Sequence, residues 1–128
     1  MKLILPDIIK LINTEKIVWT CALNYRPSAS KFERYTPPTQ TIVSAYGPND
    51  RPVLLSFLNE QGKIVKSREI IYSRTHSYYI YDNKQECVER YLELCAKTKI
   101  DIKAYNIEQS RLCDKMYDRL LEMEKVFK

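Results

Sequence analysis

One histidine, four cysteines and a run of interleaved arginines and tyrosines are the residues of this 128-residue chain with the means to do chemistry. His76, within Arg74-Thr75-His76-Ser77, can exchange a proton near neutral pH and is a candidate general base. It stands alone, whereas a histidine-rich metal centre needs several. Cys21, Cys87, Cys95 and Cys113 are widely spaced with no C-x-x-C pair, a pattern that favours reduced, buried thiols over a zinc site. Cys87, near a helix start, has the setting in which a thiolate can form, but a core-facing position suits it better. Gly47 and Gly62 are too far apart for a phosphate-cradling loop, and no G-x-S-x-G occurs. The expectation is a protein that is not an enzyme, with no cofactor and no metal.

Recognition has better material. Tyr25-Arg-Pro-Ser-Ala-Ser-Lys-Phe-Glu-Arg-Tyr35 interleaves Arg26, Lys31 and Arg34 with Tyr25, Phe32 and Tyr35. Guanidinium forks and aromatic rings give large contact area and directed hydrogen bonds for little lost entropy, so these six are the candidate contact with a protein partner. The alternative is that the rings pin this segment to the fold. Nucleic acid is a second class of partner. The net charge is +5, but residues 1–58, 59–82 and 83–128 carry excesses of only +3, +1 and +1. No segment is a dense basic stripe, so such binding would be weak and salt-sensitive.

These residues must be held by elements, and the distribution of chain breakers says which. All six prolines and both glycines lie at or before Gly62. Residues 16–82 read as five short strands: Ile17 to Leu23, Gln40 to Tyr46, Val53 to Phe57, Lys63 to Tyr72 and Ser77 to Tyr81, with Asn59-Glu60-Gln61-Gly62 as a hairpin turn. Asn24 to Thr39, with its prolines, reads as the one long loop. A helix starts at Asp82-Asn83, where Asp82/Gln85 and Asn83/Glu86 both make a capping box. Its apolar stripe is Val88, Tyr91, Leu92, Cys95 and Ala96. A second helix, capped by Asn106 with Gln109, presents Cys113, Met116, Tyr117, Leu120, Met123 and Phe127, with a break near 99–107. Residues 83–127 as a single rod are the alternative. The second helix docks on the strands or forms a homodimer through its heptad-like seam.

The fold class is α+β: a small five-stranded antiparallel SH3-like barrel or curved sheet followed by one or two C-terminal helices. Closure is favoured because it removes exposed edges. The length suits a single domain over 1–128 with one continuous core, a β part at 16–82 and a helical part at 83–128. Pro6, Asp7 and Lys10 interrupt the apolar start, so no export signal is read, and no apolar run reaches the ~18–20 residues of a membrane span. A cytoplasmic location is expected.

Val18-Trp19, the Asn59–Gly62 hairpin and Tyr79-Ile80-Tyr81-Asp82-Asn83-Lys84-Gln85-Glu86, in that order, resemble small bacteriophage-encoded proteins of unassigned function. In these a strand ending in an aromatic runs into a T/D-x-x-E helix start. The resemblance covers about residues 16–95 and carries no functional residue across. It implies a phage protein in the host cytoplasm that binds a host or anti-phage defence protein. Arg51-Pro52-Val53-Leu54-Leu55-Ser56 is similar to the arginine-proline strand of MazF-type ribonuclease toxins, which cut RNA without metal. That likeness implies a metal-independent ribonuclease dependent on Arg51 and His76, although the glycine-rich first loop of those toxins is absent here.

Overall fold

The structure, a computed structural model, describes residues 1–26, 31–45, 53–70, 78–105 and 110–128. Helix α1 (Leu5–Leu11) is followed by β1 (Ile17–Arg26), β2 (Lys31–Ala45), β3 (Val53–Leu58), β4 (Ile64–Ile70), β5 (Tyr79–Tyr81), α2 (Lys84–Tyr105) and α3 (Ser110–Lys125). The strands form one antiparallel sheet in the order β4-β3-β2-β1-β5.

Turn and cap chemistry sets the joints. Asn59 accepts hydrogen bonds at its Oδ1 from the backbone N–H groups of Gln61 and Lys63, both at 2.9 Å, and Gly62 supplies the positive φ of 79° that closes the β3–β4 hairpin. Of the two capping frames, Asn83 with Glu86 is the one used. Asn83 Oδ1 accepts from the Glu86 N–H at 2.9 Å, and Asn83 Nδ2 donates to Glu86 Oε1 at 3.1 Å. Helix α1 answers to no expectation from the sequence, since seven residues are too few to show a helical period. Pro6 opens it, and Asp7 Oδ2 accepts from the Ile4 N–H at 3.2 Å.

The barrel does not close. Tyr81 and Ile80 pair with β1 on one side, and on the other their edge is taken by the first residues of the chain: Lys2 bridges Tyr81, and the Leu3 N–H donates to the Ile80 carbonyl at 2.7 Å. β5 therefore has no free edge to offer β4, and β4 stays an edge strand among the described residues. The sheet is nonetheless strongly curled. Flat, β3 and β5 would stand three strand spacings apart, about 14 Å, yet the ring of Phe57 on β3 lies 6.4 Å from that of Tyr78, just ahead of β5.

The expected Asn24–Thr39 loop is also absent. β1 runs on to Arg26 and β2 begins at Lys31, and they stay paired through two register shifts. One lies where Thr20 faces Thr39 and Ala22 faces Thr36, so that Pro37 and Pro38 stand together opposite Cys21. A bulge leaves a ladder position without a bond, and a residue with no N–H can occupy it without loss. The prolines thus bend the strand instead of ending it.

The sheet divides the core into two clusters where one was expected. Cys21, Leu23 and Tyr25 of β1 join Cys87, Tyr91, Cys95 and Ile102 of α2 and Met116 and Leu120 of α3 on one face. On the concave face Val18, Val43, Val53, Leu55, Phe57 and Ile80 are covered by Leu3 and by Ile8 of α1. The buried stripe of α2 is Cys87, Tyr91, Cys95, Thr98 and Ile102, turned from the expected one: Val88 and Leu92 are half-buried and Ala96 is exposed. Because this stripe continues to Ile102, α2 runs on to Tyr105, through most of the expected break at 99–107, and the favoured second helix is described from Ser110. α3 then packs on α2, with Phe127 edge-on to Tyr91 at 5.2 Å. Met116 and Leu120 of the heptad-like seam are thereby buried within the chain. The Asn106/Gln109 cap lies outside the described residues.

Candidate functional site

The six candidate contact residues do not form one surface, because the pleat of the hairpin sends them to opposite sides. Tyr25 stands opposite Phe32, and Leu23 opposite Tyr35, on the helix-covered face. The Tyr25 and Phe32 rings are 5.7 Å apart, and the Arg119 guanidinium of α3 lies 5.1 Å from the centre of the Phe32 ring. The Tyr91 hydroxyl donates to that of Tyr35 at 3.4 Å. These three rings pin the hairpin to the helices. Arg26 and Lys31, a register pair, are exposed at the far end of the hairpin.

Arg34 is the member that leads elsewhere. It pairs with Asn24 on the concave side, and its guanidinium lies 5.8 Å from the centre of the Tyr78 ring. Curling of the sheet brings Lys66 and Arg68 of β4 to the same place. Arg34, Tyr35, Thr36, Lys66, Arg68 and Tyr78 line a pocket of about 290 Å³ at the mouth of the concave face. Lys66 and Arg68 are two apart on one strand and so share a face. Three cations from two strands converge there, and none of the described lining residues is acidic. Sequence patterning singles out none of Lys66, Arg68, Thr36 and Tyr78 as a site. Period-2 spacing inside a predicted strand is the available signal for the first two, while their meeting with Arg34 depends on curl that no local pattern encodes.

A second cleft of about 270 Å³ lies on the helix side of Arg34, where Asn24, Tyr25 and Tyr79 meet Lys97, Thr98 and Asp101 of α2. Other cations rest on rings around the sheet: Lys84 over Trp19 at 5.4 Å and Arg90 over Tyr79 at 5.2 Å. Arg90 Nε also donates to the Tyr81 hydroxyl at 3.0 Å. Burial pushes the Tyr81 phenol up, against the pull of that guanidinium.

The buried groups are tuned toward inertness. Its neighbour Cys87 and its own burial push the Cys21 thiol far above the ordinary range, and burial followed by the charge of Glu124 takes Cys95 to about 11. Burial likewise raises the Tyr91 phenol. Cys87 is fully buried on α2, away from the solvent a nucleophile would need. Glu124 is the one buried carboxylate among the described residues. It accepts from Lys99 Nζ at 2.7 Å and from Lys128 Nζ at 2.9 Å.

Arg51 and His76, on which a ribonuclease would depend, and Cys113 as a side chain lie outside the described residues. Among those described, no three His, Cys, Asp or Glu residues are grouped to hold a metal ion, and no helix is long and apolar enough to cross a membrane. No family model, no curated protein and no solved structure matches the chain.

Proposed function

We propose that this chain is a non-enzymatic binding module that takes an extended, acidic segment of a partner protein as an added strand along β4. The observation that carries this reading is the open edge. β4 has β3 on one side and no strand on the other among the described residues, and Ile64 and Val65 stand 60% and 63% exposed. An edge of this kind offers unpaired backbone donors and acceptors for strand addition. Lys63, Lys66 and Arg68 against Glu60 and Glu69 make the edge net basic, which opposes pairing with a second copy of itself and suits an acidic strand. The likeness to small phage proteins supports a host or defence protein as the partner to try first.

The test is capture of a partner from host lysate by the wild-type chain, repeated with Ile64→Asp combined with Val65→Asp. Both positions are exposed, so the fold should tolerate the change within about 0.5 kcal/mol. Loss of capture, together with partner-induced slowing of amide exchange in 64–70, supports strand addition. Undiminished capture, or slowing confined to other segments, overturns it.

A further inference from the structure

We propose that the mouth of the concave face, where Arg34, Lys66 and Arg68 meet beside Thr36 and Tyr78, binds the phosphate group of a small phosphate monoester. Lys66 and Arg68 also lend charge to the β4 edge, but strand addition is carried by the open backbone edge and the exposed Ile64 and Val65, so variants at 64 and 65 separate the two proposals.

The first support is charge. Two guanidinium groups and an ammonium line a single pocket of about 290 Å³, and none of its described lining residues is acidic. Like charges brought together repel, and none of the three forms an ion pair with another described residue. An anion removes that repulsion, and three cations suit a dianion better than a single carboxylate. Phosphate monoesters carry close to two negative charges at neutral pH. Guanidinium forks match phosphate oxygens in pairs, with lysine adding a point charge.

The second support is preorganisation. Arg34 is half-buried and held against the Tyr78 ring, which is itself held against Phe57. The guanidinium is thus oriented before any ligand arrives, which lowers the entropy lost on binding. Size is the third support. The volume sits at the lower end of small-molecule sites, about 300–1,000 Å³, leaving room beyond a bare phosphate ion for part of the group that carries it.

The test uses the full chain, at constant ionic strength, titrated calorimetrically with AMP, glucose 6-phosphate, inorganic phosphate and adenosine. Saturable binding of the phosphates and none of adenosine is expected, with a rise in melting temperature as the pocket fills. AMP binding more tightly than glucose 6-phosphate would assign a nucleotide, and equal binding would assign recognition of the phosphate alone; both support the site. Lys66→Gln and Arg68→Gln, at exposed positions, should each weaken binding by about tenfold to a hundredfold without lowering the melting temperature of the free protein. Arg34→Lys keeps the charge and should retain part of the affinity that Arg34→Gln loses. Equal binding of adenosine, affinity unchanged in the Lys66 and Arg68 variants, or no saturation by about 10 mM ligand would each overturn the proposal. Ile64→Asn with Val65→Asn, which adds no charge beside Lys66, should leave phosphate binding intact.

Discussion

Around β1 and β5 most of the sheet is covered: α2 and α3 lie on one face, the first residues of the chain occupy the outer edge, and cations rest on the half-buried rings of Trp19 and Tyr79. Around β4 the opposite holds, with an edge left open among the described residues, exposed aliphatic side chains and cations gathered at the mouth of the curl. One antiparallel sheet carries both conditions. β5 leads directly into a capped helix that folds back over β1, whereas β4 has β3 as its one strand neighbour among the described residues. The first region carries the buried core of the helices, and the proposed recognition falls to the second.

Thiol chemistry should separate the regions most sharply. Cys21, Cys87 and Cys95 all lie on the covered side, buried, with Cys21 and Cys95 raised away from the thiolate form. Alkylation of these three should require global unfolding, which at a stability of about 5 kcal/mol or more slows labelling at least a thousandfold relative to the denatured chain. Rapid labelling of any of them, mapped by peptide mass, would show the covered side to be open. Truncation is the next largest effect. Tyr91→Ala removes a fully buried ring that touches Tyr35 and Phe127, and should cost about 3–5 kcal/mol in denaturant unfolding. Val65→Ala on the open strand should cost within about 0.5 kcal/mol. Comparable losses at the two positions would erase the contrast.

The last of these effects concerns pH. Burial disfavours the Glu124 carboxylate, but Lys99 and Lys128 together hold it below the usual carboxylate value. A depressed folded-state value means that the contribution is complete above the unfolded value, about 4.3, and is lost as pH falls through the folded one. Lys99→Met leaves Glu124 with Lys128 alone, so the loss at neutral pH should approach the lower end of the roughly 3–5 kcal/mol seen when a buried pair is broken. Melting curves should then show the wild-type protein losing its advantage over Lys99→Met as pH drops below about 4. An advantage that persists at low pH would reassign Lys99 to packing.

Local chemistry made much of this architecture readable. Asn59 and Gly62 announced their hairpin, Asn83 and Glu86 their cap, and the alternation from Ile17 to Leu23 its strand, because each depends on residues within a few positions of one another. Three features escaped for reasons of range. Pro37 and Pro38 signal a break to any local reading, yet opposite Cys21 they are absorbed in a bulge. Competition between Lys2 and β4 for the edge of β5 is decided across nearly the whole β region. The basic mouth exists only because curl carries β4 toward Tyr78. Of the six residues expected at the contact, Tyr25 and Phe32 serve packing, Tyr35 both packs against Tyr91 and lines the mouth, and Arg34 brings its charge there.

The order of the elements along the chain bears on how the protein is made. Synthesis from the N-terminus delivers β1 to β4 as a meander of neighbours, each able to pair with the last as it emerges. Cys21, Leu23 and Tyr25 wait uncovered until α2 and α3, which follow all five strands, leave the ribosome. A nascent chain halted before Lys84 would thus display a half-finished apolar sheet, the kind of surface that chaperones are there to shield.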